Sequence, residues 1–154
     1  MSKNNISKIV IIIASILAVA LLGSILVNIG MSWYMKLNRP TQWIPNIVIP
    51  IAWTIIYILT TLILTIWSSN GSIPLSTRIL FVLNGICNVL WCLVFFTLHL
   101  TLLGNIVIIL NLILGYYLVL DIKKNVPLFA LILSIYPIWL SIATTLNTAI
   151  WILN

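Results

Sequence analysis

Acidic side chains are all but missing from this chain: Asp121 is the lone acid, glutamate does not occur, and charged residues make up 5% of 154 positions. A soluble domain carries about 25% charged residues and uses them to face water. Too few polar side chains are present to coat a globule, so lipid is the natural solvent. No acid lies within any apolar run, and proton- or cation-coupled pumps usually keep an ionisable group there. There is no carboxylate pair, no thiol–imidazole pair within one motif and no glycine-rich phosphate loop. His99, the one histidine, cannot supply the three or four ligands of a metal site. Neither acid–base enzymology nor a metal is expected, and no cofactor is required. The longest basic cluster is Lys123-Lys124, too short to track a nucleic-acid backbone. The two cysteines, Cys87 and Cys92, would stand roughly 7.5 Å apart along a helix axis and on different faces, which excludes a disulfide between them.

What is present is apolar. Hydrophobic residues make up 63% of the chain, and the mean hydropathy is +1.28. Since a spanning helix needs about 20 apolar residues, this length predicts a single membrane domain, 1–154, formed by a five-helix all-α transmembrane bundle. Runs such as Ile9–Val19 and Ile106–Leu114 are too continuous for the alternation of membrane β-strands. The predicted spans are 9–29, 47–67, 76–98, 100–120 and 128–153. The first run exceeds the apolar core of a secretory signal and reads as a span. Gly30 to Asn46 reads as an interfacial loop holding Trp33, Tyr34 and Trp43, because Trp and Tyr prefer the headgroup layer. Pro50 falls in a first helical turn, where its missing N–H costs little. Ser68 to Ser72 reads as a turn, His99 as a tight hairpin, and Asp121 to Pro127 as a short polar loop. Pro137 is expected to kink the last span.

The net charge of +6 is distributed unevenly. With five spans, Lys3, Lys8, Arg78, Lys123 and Lys124 share one side of the bilayer, and Lys36 and Arg39 the other. The positive-inside rule then puts the N-terminus in the cytoplasm, with the long first loop and the C-terminus on the opposite side.

Candidate chemistry is aromatic and amide. Trp53 and Tyr57 are four apart and share a helical face. Asn84, Asn88 and Trp91 recur at i, i+4, i+7; Trp139, Ala143 and Asn147 recur at i, i+4, i+8, with Ile150 and Trp151 continuing nearby. Amides in hydrocarbon turn inward and find partners. From spacing alone two readings stand: amides that glue helices together, or an apolar pocket with a few placed polar groups.

The same residues carry a resemblance. Trp33-Tyr34-x2-Leu37-x2-Pro40, Pro50-x2-Trp53-Thr54-x2-Tyr57 and Leu83-Asn84-x3-Asn88 stand in the order and spacing of the TspO/MBR family. So does Pro137-x-Trp139-x3-Ala143-x2-Leu146-Asn147-x2-Ile150-Trp151-x-Leu153-Asn154. This family comprises the tryptophan-rich sensory proteins and the mitochondrial translocator protein. The chain departs from the pattern at Ile44, where the family usually has the first of two adjacent prolines, and at Cys87, where an aromatic is usual. The resemblance implies a five-helix bundle, commonly a homodimer in the lipid bilayer. Its pocket takes porphyrin, haem, isoquinoline-type drugs and in some members a sterol. Carried over by motif, Tyr34 and Pro45 line the lid, and Trp53, Tyr57, Asn84, Asn88, Trp139, Ala143 and Asn147 line the cavity. Lys36 and Arg39 either pair with porphyrin propionates or anchor to lipid headgroups. The leading expectation is a membrane receptor or sensor for a flat ligand. The alternatives are light-dependent porphyrin degradation through Trp53 and Trp139, facilitated transport of the ligand, and a partner-docking subunit.

Overall fold

The computed structural model describes residues 3–40, 45 and 47–154; Trp43 and Ile44, named above as an interfacial aromatic and a departure from the family pattern, lie outside the described residues. Its helices are α1 (Lys3–Tyr34), α2 (Val48–Asn70), α3 (Leu75–Cys92), α4 (Thr101–Lys123), α5 (Pro127–Leu133) and α6 (Ile135–Leu153), with a π-helical turn, Leu93–Thr97, closing α3. Among the described residues five segments are long and apolar enough to cross a membrane: Asn5–Tyr34, Val48–Asn70, Leu75–Thr97, Thr101–Lys123 and Pro127–Leu153. The chain is a multi-pass membrane protein. Among the described residues there is no strand, as the backbone must satisfy itself within each segment when water is absent.

Four boundaries differ from the sequence expectation, each for a physical reason. Gly30 does not end the first helix, because α1 continues to Tyr34. A Cβ added at Gly30 would stand 1.9 Å from the Phe96 carbonyl oxygen, so this glycine is a point of helix contact. Ser68 to Asn70 are helical, with the Ser69 hydroxyl donating to the Thr65 carbonyl at 2.9 Å. Asp121 is likewise helical and not in a loop. Its Oδ2 accepts from Ser76 Oγ at 2.9 Å and Thr77 Oγ1 at 2.7 Å, tying the end of α4 to the start of α3. The last span is two helices broken at Ser134. Pro137 has no N–H for the Leu133 carbonyl and its ring crowds that position. Ser134 Oγ donates to the Leu131 carbonyl at 2.6 Å and helps hold the break.

The hairpin at His99 is as tight as expected. The Leu98 N–H reaches back to the Leu93 carbonyl at 2.9 Å, closing the π turn, and the Leu100 N–H to the Val94 carbonyl at 3.0 Å. His99 takes φ +59°, a left-handed conformation in which histidine is enriched, and stacks on Trp33 with ring centroids 4.3 Å apart. The extra residue in the π turn lets Val94, Phe95 and Phe96 all turn inward.

Packing runs α3 on α4 and α4 on α6, with α1 laid against α2, α3 and the π turn. One buried cluster (Ile63, Trp67, Leu118, Ile122, Ala130, Leu133) closes the end where α2 meets α3. A second (Ile56, Ile108, Tyr136, Trp139, Leu140) lies at mid-height, and a third (Tyr34, Phe95, Phe96, Ile150) lies under the first loop. Outward residues such as Ile11, Leu21, Leu131 and Ile152 are exposed and meet lipid.

The close approach at Gly30 gives a test. Gly30→Ala forces α1 off the Phe96 carbonyl and is expected to cost about 2–3 kcal/mol, in the range of overpacked cores. Gly23→Ala meets only Cys92 Sγ at 3.5 Å and should stay within about 0.5 kcal/mol of the parent. Calorimetric unfolding of both variants in the same detergent measures the difference.

Candidate functional site

Four helices leave a hollow between them at the end of the bundle where α1 finishes. Its volume is about 560 Å³. From α1 it is walled by Gly23, Val27, Met31 and Tyr34, and from α2 by Pro50, Trp53 and Tyr57. Asn88, Trp91 and Cys92 of α3 line it together with Phe95 and Phe96 of the π turn, and α6 contributes Trp139, Ala143, Asn147 and Ile150. The rings form a connected wall. Trp53 stacks on Tyr57 at 5.8 Å and on Trp91 at 6.5 Å, and Trp91 stacks on Phe95 at 6.0 Å with an interplanar angle of 15°. Offset and edge contacts at such spacings are favourable for aromatic rings, so the wall is stiff as well as apolar.

The polar groups divide into two sets. Tyr136 Oη accepts from Asn88 Nδ2 at 3.1 Å and stands 3.1 Å from Asn84 Oδ1 and 3.2 Å from Asn111 Oδ1. Asn111 Nδ2 donates to Asn88 Oδ1 at 2.9 Å, and Asn84 Nδ2 to the Leu80 carbonyl at 2.8 Å. This node joins α3, α4 and α6 and is closed upon itself. A smaller tie, Thr148 Oγ1 to Asn105 Oδ1 at 2.8 Å, links α6 to α4 again.

The second set is open. Asn147 Oδ1 accepts from the Trp91 indole N–H at 3.1 Å, but Asn147 Nδ2 and the Trp139 indole N–H are buried without an acceptor. Both residues line the cavity. Native interiors leave few such groups unpaired. At the mouth the Arg39 guanidinium lies 5.2 Å from the centroid of the Tyr34 ring, a cation–π distance, and its Nη1 is also buried without a partner. No acid borders the cavity. The arrangement offers hydrogen-bond donors and π-faces.

Of the residues named from sequence, Tyr34, Trp53, Tyr57, Asn88, Trp139, Ala143 and Asn147 come together around this cavity. Asn84 does not line it and sits in the closed node. Pro45 is exposed and is not among the lining residues. Trp151, read as continuing the α6 stripe, is 39% exposed and faces outward. Sequence reasoning passed over Asn105 and Asn111, which are six apart and so fall on no common helical stripe, although any amide in an apolar run must turn inward. It also passed over Tyr136, which precedes Trp139 by three positions and shares its face.

The model of the TspO/MBR family matches residues 11–152. The chain is similar to the tryptophan-rich protein TspO of Archaeoglobus fulgidus, 32% identical over 152 residues covering 97% of this chain and 99% of that protein. It is also similar to protein CrtK of Rhodobacter capsulatus, 28% identical over 127 residues covering 80% of this chain and 79% of that one.

Removing the hydroxyl at the centre of the node tests its part in the fold. Tyr136→Phe strands the Asn88 donor and is expected to destabilise by about 1–2 kcal/mol. Combined with Asn111→Ala, the loss should be smaller than the sum of the two single losses, as read from a double-mutant cycle of thermal unfolding in detergent.

Proposed function

The chain belongs to the TspO/MBR family, and from that premise we propose that it is a membrane receptor or sensor holding a porphyrin, haem or similarly flat hydrophobic ligand in the aromatic cavity. One observation carries the reading: two buried donors, Asn147 Nδ2 and the Trp139 indole N–H, stand without acceptors on residues that line a mostly apolar hollow. An acceptor oxygen on a ligand would satisfy them, and leaving a buried donor unmade costs about 1–3 kcal/mol. The stacked rings of Trp53, Trp91 and Phe95 present π-faces to a planar molecule. The volume, about 560 Å³, lies within the range of roughly 300–1,000 Å³ common for small-molecule sites. Arg39 lies over the Tyr34 ring, and an Arg there would suit a propionate through its paired donors.

A second reading rests on Trp53 and Trp139 bordering the same cavity. A photosensitising ligand bound there would lie against both indoles; light-dependent degradation would oxidise the porphyrin with dissolved dioxygen as the electron acceptor, the indoles relaying electrons between the two. The two readings separate under illumination: binding alone survives in the dark, whereas degradation needs light and the indoles.

Titration of the detergent-purified protein with protoporphyrin, followed by tryptophan fluorescence, tests the receptor reading. Saturable quenching is expected in the parent. Trp139→Phe and Asn147→Leu should each raise the dissociation constant about 5- to 20-fold, the loss of one buried hydrogen bond. Asn84→Ala, away from the cavity, should leave it within about twofold, at the usual scatter of distant sites. Quenching that never saturates, or that ignores both Trp139→Phe and Asn147→Leu, removes the ligand from this cavity.

The charge distribution supports an N-terminus in the cytoplasm, since α1 starts at the end carrying Arg78, Lys123 and Lys124. In a background with Cys87 and Cys92 replaced by Ser, Lys36→Cys is expected to react with a membrane-impermeant maleimide in intact cells. Lys123→Cys should react only after lysis, and the reverse pattern would invert the topology.

A further inference from the structure

A second hollow opens at the opposite end of the bundle. It lies between α1, α2 and α3, with a volume of about 980 Å³. Its walls are apolar, built from residues such as Ile16, Leu64, Phe81 and Val89. At its outer end stand two cations, Lys8 of α1 and Arg78 of α3. Both are exposed, and no acid lines the groove. The chain's one acid, Asp121, is engaged elsewhere by Ser76, Thr77 and Lys124. At the inner end the amides of Asn84 and Asn88 and the Tyr136 hydroxyl are bonded to one another and to Asn111. The groove therefore presents charge at the membrane surface and apolar wall at depth.

We propose that this groove seats an anionic membrane lipid, its headgroup between Lys8 and Arg78 and its acyl chain along the apolar wall. Basic residues near the bilayer surface attract anionic headgroups by about 1 kcal/mol each, which for two is roughly tenfold to thirtyfold in occupancy over a zwitterionic lipid. A soluble anion meets the same cations but leaves the apolar walls empty. A second copy of the chain is disfavoured as occupant, because each carries a net charge of +6 and brings no free acid to set against Lys8 and Arg78. The groove shares Val19, Tyr57 and Asn88 with the aromatic cavity but differs from it in chemistry: residues with unpaired donors line the cavity, whereas the groove carries cations at its rim.

Native mass spectrometry of the full chain from nanodiscs tests this, using phosphatidylglycerol and phosphatidylcholine of identical acyl chains. The parent is expected to retain phosphatidylglycerol at least about tenfold over phosphatidylcholine. Lys8→Gln with Arg78→Gln should erase the preference. Lys123→Gln with Lys124→Gln, which removes the same charge at the same end but away from the groove, should keep it within about twofold. Ser15→Trp, which fills the groove from α1 while sparing both cations, should abolish retention. Glycerol phosphate without acyl chains should not be retained. Four results overturn the proposal: equal retention of the two lipids; equal loss in the Lys123/Lys124 control; retention that survives Ser15→Trp; or a lipid-free dimer that Ser15→Trp dissociates, which would give the groove to a second copy.

Discussion

Every polar group carried into the hydrocarbon layer must find its partner inside the protein, because no water is present to take its place. Most of this bundle follows from how that demand is met at Tyr136. Its hydroxyl has one proton and stands near two carbonyl oxygens, those of Asn84 and Asn111, so one of the two is satisfied at a time while Asn88 donates back to the phenol. Three helices are thereby fixed in register by side chains whose alternative is an unpaired dipole in lipid. Asp121 repeats the logic at the membrane surface, where its carboxylate gathers two hydroxyls from the first turn of α3.

The first helix is held by different means. Its window of greatest hydropathy has no buried residue, and it carries no amide into the Tyr136 node. Close approach takes over: Gly30 lies on the Phe96 carbonyl, and Thr97 Oγ1 donates to the Leu26 carbonyl at 3.2 Å. Just beyond the helix, Asn154 brackets the Asn38 backbone, accepting from its N–H at 3.0 Å and donating to its carbonyl at 2.9 Å. All of these contacts sit at the loop end. A helix pinned at one end against a rigid trio leaves space beside it, and both hollows use α1 as a wall.

Much of this was legible in the sequence, because five long apolar runs with almost no charge admit few other architectures. The stripes on α2, α3 and α6, Trp151 excepted, also turn inward, since helical spacing fixes which residues share a face. The misreadings have a common cause. Gly30 and Ser68 to Asn70 look like breakers when judged by local preference, yet in lipid a helix that stops early strands carbonyls, so it continues as far as its contacts allow. At Pro137 the sequence predicted a kink, but where the chain would part depended on Ser134 reaching back to Leu131. The π turn had no local signature at all. It exists because three consecutive bulky residues, Val94 to Phe96, are all buried, and a regular helix cannot turn three neighbours to one side.

Spacing was least able to say which amides keep a spare donor and which are used up in joining helices. Asn84 and Asn88 on α3 and Asn147 on α6 are the same residue on inward faces, and motif carry-over treats them alike. Their difference lies in satisfaction. Asn84 gives its nitrogen to the Leu80 carbonyl and shares the Tyr136 proton with Asn111, so it keeps no spare donor for a ligand. Asn147 has its oxygen held by Trp91 and its nitrogen left over, and the Trp91 bond fixes which way that nitrogen turns. An amide half-satisfied by a rigid neighbour is pre-oriented as a donor, and with the unpaired Trp139 indole lining the same hollow the demand for an acceptor is doubled. The closed node and the open donors are then parts of one arrangement: the node holds the helices apart at a set distance, and the residues with open donors border the space that distance leaves.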